Sequence, residues 1–282
     1  MRALRLFVAL VLAADPARAA DDPNDLHVRP CRPTISCSAD LVPPGAVEIE
    51  LGYAPRSVRP GGWIHTEPVL LKLTLTRWLQ AQVGGSGYVF TQGQVAKSLR
   101  YYDDVSFGFK THVVDQTSVI PSVSASAALS VPSFQPPVEF PHAYDLGFWV
   151  YASKDIGKVH LDLNGGANLW QFDHPDRSVQ PFAALASSFS IVGPVGAMAE
   201  TYVFASAGRI APKDAGLLTA LSYAPGPRVL FDAGVDTSFV QSTRLFTLFV
   251  GVTFVPVRLW GGENRSVEGA VRAAVHTMKA MR

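Results

Sequence analysis

The stretch "VLFDAGVDTSFV", residues 229 to 240, alternates at almost every step. Phe231, Ala233, Val235, Thr237 and Phe239 share one parity, and Asp232, Gly234, Asp236 and Ser238 share the other. Successive side chains of a strand point to opposite faces, so the segment predicts a β-strand with one apolar and one acidic face. Helical spacing would scatter the acids around the cylinder. Two surroundings accept such a strand. In a soluble half-buried sheet the apolar face meets a core and the acids meet bulk water. In a membrane barrel the apolar face meets lipid and the acids meet a wet lumen.

The pattern recurs along the chain. Period-2 runs bounded by turn residues give about twelve candidate strands, at 46–54, 63–76, 78–90, 104–113, 118–131, 143–153, 158–171, 178–191, 195–206, 217–224, 228–239 and 244–255. In "AVEIELGYA" Val47, Ile49, Leu51 and Tyr53 oppose Glu48 and Glu50, and in "KVHLDLNGGANLW" Val159, Leu161, Leu163 and Leu169 oppose His160, Asp162, Asn164 and Asn168. Most segments are long enough to cross a bilayer at a tilt. Short turns ("KDIG", "VGP", "PGP") alternate with mostly longer loops ("PRSVRPGG", "PSFQPPVEFPHA", "AGRIAPKDAG"). Short turns on one rim and long loops on the other are what outer-membrane barrels show.

Composition points the same way. Charged residues make up 17% of the 282-residue chain, against roughly 25% for an average globular protein. The polar parity is mostly Ser, Asn, Gly and Gln, whereas the solvent face of a soluble sheet carries many Lys and Glu. A net charge of +1 with no basic patch gives no reason to expect nucleic acid. Aromatic residues near strand ends, Trp63, Trp78, Trp149, Trp170, Tyr223 and Phe254, would suit interfacial girdles.

The chain begins "MRALRLFVALVLAADPARAADDP", with Arg2 and Arg5, an apolar run from Leu6 to Ala14 and small residues at the end. This is the pattern of a secretory signal peptide, expected over residues 1–20 and cleaved near Ala19 or Ala20. No later run is long and apolar enough for a transmembrane helix. Residues 21–45 are polar and Pro-rich and read as an extended periplasmic lead-in, holding the only two cysteines, Cys31 and Cys37. In an oxidising compartment a small-loop disulfide is the first reading, with free thiols or a metal as alternatives. Zinc would need two more good ligands, and the histidines lack metal spacing. The barrel is expected over 46–256. In the tail, 257–282, Val267, Val271, Ala274, Val275 and Met278 recur at helical intervals and predict a short amphipathic helix, a periplasmic plug or a rest on the membrane surface.

The segments "RPTISCSADLVPPGAVEIELGY", "EPVLLKLTLTRWLQAQVGGSGY" and "DVSFGFKTHVVDQTSVIPSVSASAALSVPS" also carry a family likeness. Together they resemble the transporter-like outer-membrane family named for the meta-pathway of phenol degradation, over roughly residues 30 to 255. The resemblance implies an outer-membrane β-barrel and a transport role associated with aromatic degradation. The Cys pair and the tail after Pro256 depart from the family pattern.

The expected fold is therefore a closed, antiparallel, up-and-down all-β transmembrane barrel of about twelve strands with both termini periplasmic. Parity sends Glu48, Glu50, Lys72, Lys110, His112, Asp145, His160, Asp162, Glu200, Asp232 and Asp236 into its lumen. Acids outnumber lysines among them, which would favour cations in a narrow pore. The alternative is that Lys72 and Lys110 pair with acids on neighbouring strands and hold the wall together. The function expected is a channel or transporter for small solutes, aromatic or other organic compounds among them, with no cofactor or metal. Outer-membrane lipid and the barrel-assembly machinery are the expected partners. Two rivals are weighed beside it. A barrel lipid hydrolase needs Ser, His and an acid or carboxamide within hydrogen-bond reach; no such cluster is visible, and "GGSGY" is not a nucleophile elbow. A soluble β-sandwich or lipocalin-like carrier would pack Phe231, Val235 and Phe239 against a second layer.

Overall fold

The computed structural model describes residues 26–32, 34–58, 61–93, 99–132, 143–208, 211–240 and 243–261. The predicted signal peptide and the predicted tail helix lie outside these residues. The strands, in order, are β1 (Ala46–Val58), β2 (Gly62–Thr66), β3 (Val69–Thr76), β4 (Leu79–Gly85), β5 (Tyr88–Gly93), β6 (Arg100–Tyr102), β7 (Val105–Val114), β8 (Ser122–Val131), β9 (Asp145–Ile156), β10 (Val159–Trp170), β11 (Ser178–Val192), β12 (Val195–Phe204), β13 (Asp214–Gly226), β14 (Val229–Val240) and β15 (Thr243–Arg258). They form one sheet in which every neighbour is antiparallel, and β15 pairs with β1 from Ala46↔Arg258 to Arg56↔Thr247. Closure of β15 on β1 leaves the long staves no unpaired backbone edge, which hydrocarbon demands, and only the short β6 lacks a second partner among the described residues.

Three staves are each broken into two strands: β2 and β3 at Glu67-Pro68, β4 and β5 at Ser86-Gly87, β6 and β7 at Asp103-Asp104. β1 spans the break, pairing with β3 through Val47–Leu51 and with β2 through Ala54–Val58. Counted through the breaks, the barrel has twelve strands, as expected. The breaks follow from local chemistry. Pro68 has no N–H to give the ladder, though its carbonyl still accepts the Gly52 N–H at 3.0 Å. Gly87 has φ +66°, and a Cβ there would lie 2.1 Å from the Glu67 carbonyl oxygen. One predicted boundary moves for a similar reason. β8 begins at Ser122 and not at 118, because Pro121 interrupts pairing and Thr117 to Ile120 close a turn through the Thr117 N–H to the Ile120 carbonyl, 2.9 Å.

The wall is apolar outside and polar within. Phe231 and Phe239 are 47% and 50% exposed, with no second sheet or helix over them among the described residues, so the soluble-sandwich reading falls away. Leu163, Leu185, Leu217, Leu221 and Val250 extend the same bare apolar surface around the barrel. The opposite parity is buried and polar, with Glu48, Glu50, Lys72, Lys110, Asn164 and Glu200 among the most enclosed side chains. A water-soluble protein has the reverse arrangement. No helix among the described residues is long and apolar enough to cross a membrane, and the crossing is made by strands.

Trp63, Trp78 and Tyr223 are exposed on the outer face, as girdle residues should be. Trp149 and Trp170 are not. Trp149 shares the parity of buried Tyr151 and lies 6.4 Å from the Phe182 ring, while Trp170 Nε1 donates to buried Gln180 Oε1 at 3.0 Å. Both belong to the lumen, where the Trp170 indole N–H finds an acceptor that hydrocarbon lacks.

Leu163 lies near the middle of β10, flanked across the ladder by Ala152 and Leu185. Leu163→Arg should destabilise the folded barrel by about 2–4 kcal/mol, read by reversible urea unfolding in lipid vesicles. The inward neighbour change Asn164→Ser should cost clearly less. Equal costs would contradict lipid contact at Leu163.

Candidate functional site

The lumen is occupied by the protein's own N-terminal segment. The described residues between 26 and 45 form no strand before Ala46, so their backbone N–H groups need partners other than a ladder. They find them on the inward faces of strands around the circumference: Glu48 on β1, Ser153 on β9 and Glu200 on β12 accept from them, while Lys72 on β3, Lys110 on β7, Ser124 on β8 and Asn164 on β10 donate to their carbonyls. The segment expected as a periplasmic lead-in is, over its described residues, a plug inside the barrel. A Pro-rich stretch without ladder partners is held there because the wall supplies the acceptors it lacks.

The anchor is a buried triad. Register sets Glu48 opposite Lys72, and Lys72 Nζ lies 2.7 Å from Glu48 Oε1 and 2.6 Å from Glu50 Oε1. The lysine side chain is 2% exposed and the two glutamates 0%. One ammonium cannot balance two carboxylates, and the plug makes up the difference with backbone N–H groups. Arg29 donates to both Glu48 oxygens at 3.3 Å, and Cys31 and Arg32 donate to Glu50 at 3.0 and 2.9 Å. Lys72 also donates to the Arg29 carbonyl at 2.6 Å. A second clamp stands on β12, where Glu200 accepts from the Ile35 and Ser36 N–H groups at 2.9 and 2.6 Å. The Cys31–Cys37 disulfide, present as expected, closes the loop that joins the two clamps.

Arg32 adds a third attachment. Gly52 and Gly251 pair directly across β1 and β15, and a Cβ on either would fall 2.0 or 2.3 Å from the Arg32 guanidinium. The glycines open a cradle in the wall, and Arg32 donates there to the Leu51 carbonyl at 2.5 Å and the Val250 carbonyl at 3.5 Å.

On their strands the eleven residues expected from parity fall in step with the buried side chains. Lys72 pairs with neighbouring acids, as one reading had it. Lys110 does not: it donates to the Ser38 carbonyl of the plug and sits 4.3 Å from the centre of the Tyr151 ring. His160 lies between Asp155, 2.8 Å away, and Asp162, 3.1 Å away, and Asp162 also accepts from Ser153 Oγ at 2.5 Å. His112 meets Asp115 at 2.8 Å, Asp236 accepts from the Tyr202 hydroxyl at 3.0 Å, and Asp145 accepts from the Gln171 N–H at 2.7 Å. Asp232 is 6% exposed and neither of its oxygens has a hydrogen-bond partner. Among the described residues no group of His, Cys, Asp and Glu could hold a metal. Sequence reading missed Arg32 and the plug N–H groups, and also Arg56, which meets Asp214 at 3.2 Å. Arg56 was within reach, since it continues the even parity of Glu48 and Glu50.

The plug does not fill the lumen. At the short-turn rim a mouth of about 720 Å³ opens between His27, Lys158, Pro194 and Pro227. It shares Arg29, His160, Ser188 and Met198 with a second cavity of about 280 Å³ that runs beside the plug toward Asp232.

No family model matches the chain, and no curated protein matches it. Solved structures do. The chain is similar to an outer membrane channel from Pseudomonas putida F1 at a TM-score of 0.59, with 13% identity over 81% of this chain and 99% of that one. It is similar to the NanC porin at a TM-score of 0.55, with 10% identity over 73% of this chain and 98% of that one. The fold is that of an outer-membrane barrel. At these identities the likeness is one of architecture, and it agrees with the exposed apolar wall.

Lys72→Met leaves two buried carboxylates without their cation and should cost about 3–5 kcal/mol of barrel stability, measured by thermal or urea unfolding in detergent. Adding Glu48→Gln and Glu50→Gln should restore part of that loss. A Lys72→Met protein as stable as the wild type would mean that the triad is hydrated and carries no load.

Proposed function

We propose that the protein is an outer-membrane channel that passes small solutes beside its own N-terminal plug. The observation that carries this reading is the course of the void: the mouth at the turn rim runs into a polar cavity between plug and wall, inside a barrel whose outer face suits only lipid. That the architecturally similar structures are a channel and a porin supports it. We assign the chain to the transporter-like family named for the meta-pathway of phenol degradation, on the sequence segments given above, with small organic compounds, aromatic ones included, as the solute class. The signal peptide would deliver it to the periplasm, and the barrel-assembly machinery would insert it.

The lumen charge sets an ion preference. Lys72 is taken up by Glu48 and Glu50, Lys110 by a plug carbonyl, Arg32 by the Leu51 and Val250 carbonyls and Arg56 by Asp214, while Asp232 and Asp236 line the inner face with no lysine hydrogen-bonded to them. Such a passage favours cations. In planar bilayers the purified protein should carry potassium in preference to chloride, and a chloride preference would overturn the acidic-passage reading. Glu200→Ala removes the acceptor of the Ile35 and Ser36 N–H groups and should raise single-channel conductance, with heat-modifiable gel migration as the folding control. Unchanged conductance would show that this half of the plug does not limit passage.

A further inference from the structure

The attachments of the plug are unevenly distributed, and the unattached side has a character of its own. On either side of the Glu200 clamp, on β11 and β13, the inward residues facing the cavity are short. Ala186 and Ser188 on β11 and Ala220 and Ser222 on β13 hold the wall back from the plug and leave the cavity of about 280 Å³. A water molecule takes about 30 Å³ of liquid, so the space suits a solute of several heavy atoms. Asp232 stands in its lining.

Asp232 is unlike the other lumen acids. Glu48 and Glu50 hold Lys72, Glu200 holds two plug N–H groups, Asp162 holds Ser153 and His160, and Asp236 holds Tyr202. Both oxygens of Asp232 are buried without a partner. Its cross-strand neighbours explain why: on one side Ser222 is directly opposite, with no hydrogen bond between them, and on the other is Gly251, which brings no side chain. The cation nearest by position is Arg32, over Gly251, and its guanidinium donates to the Leu51 and Val250 carbonyls. A buried carboxylate whose acceptor sites are all unused costs several kcal/mol on the order of an ion's desolvation penalty unless a cation meets it. Around Asp232, Met198, Ala220 and Leu230 stand beside serine hydroxyls and suit a short hydrocarbon next to a charged head, while Arg29 and Arg32 of the plug and Asp155, His160 and Asp162 of the wall line the rest of the cavity.

We propose that the cavity between the plug and the β11–β14 wall is a binding site for a small organic cation, a primary ammonium on a short alkyl chain, with Asp232 as the carboxylate that receives it. With the Asp232 carboxylate turned into the cavity, the ammonium head donates to it and to the Ser222 hydroxyl, while the alkyl group lies against Met198 and Leu230. The site deepens the channel reading by naming a solute class for its passage. Its test is an equilibrium measurement that needs no conduction.

Calorimetric titration of the full-length, detergent-solubilised protein with ethylammonium chloride should give saturable binding, and sodium acetate should give none. Asp232→Asn keeps the shape and removes the charge, and should weaken ethylammonium binding by on the order of tenfold or more. Ser222→Leu keeps the charge and fills the space, and should weaken it comparably, with boiling-dependent gel migration confirming that both variants fold. Absence of binding to the wild type, or equal binding to wild type and Asp232→Asn, would overturn the proposal. Binding by a protein that conducts nothing in bilayers would leave the site standing and remove the channel reading alone.

Discussion

The structure depends on an exchange between wall carboxylates and plug amides. A chain segment with no ladder must place its N–H groups somewhere, and a barrel interior rich in acids must find donors or cations for them. Glu48, Glu50 and Glu200 answer both needs at once, because each carboxylate receives N–H groups of the plug. Charge-assisted bonds of this kind are about twice as strong as neutral ones. Lys72 lowers the electrostatic cost of holding two carboxylates side by side, and the plug supplies what a single ammonium cannot. Neither partner is satisfied without the other, so the plug and the inner wall are best regarded as one folded unit.

That exchange is possible only because the barrel is turned inside out relative to a soluble protein. Lipid accepts the Leu, Val and Phe rows of the outer face, which leaves the inner parity free to be polar. Burial inside the barrel then lowers the local dielectric and strengthens each ion pair and hydrogen bond that the lumen makes. The apolar clusters that remain inside are small. Leu26, Val42, Ala46 and Val255 close the turn-side end where plug meets wall, and Leu218, Ala220 and Phe249 pack at mid-height. They shape the interior and contribute less than the lipid-facing surface to holding the protein in place.

Much of this was legible in the sequence because alternation is a local property. Each residue's face follows from its parity, so Glu48, Lys72, Asp162 and Asp232 could be assigned to the lumen from the chain alone. Where the reading of Trp149 and Trp170 went astray, parity already held the answer: Trp149 is in step with Asp145, and Trp170 with His160 and Asp162. Position near a strand end was given more weight than phase. The plug was illegible for a different reason. Residues 26–45 have no period, and their partners lie far away along the chain, as with Ser36 and Glu200 or Ala39 and Ser153. The broken staves were equally hidden, since Glu67-Pro68 and Gly87 look like ordinary interruptions until they line up on adjacent strands.

One trace of the plug was nevertheless present. Glycine at 52 and at 251 interrupts two otherwise well-filled strands, and each weakens the strand it sits in. A pair of glycines facing each other across a closing seam makes sense only if something large must approach the backbone, and Arg32 is that group. Its guanidinium rests on the carbonyls of the very strands that join the ends of the barrel, β1 and β15. The seam that closes the wall and the segment that occupies part of the lumen therefore share a contact. With the plug pinned at this seam and at β12, a cavity remains beside it, lined by strands from β9 to β14. The alternating stretch from Val229 to Val240 thus has two unlike duties: its aromatic face meets lipid, and its acidic face brings Asp232 to a cavity that the described plug leaves beside the wall.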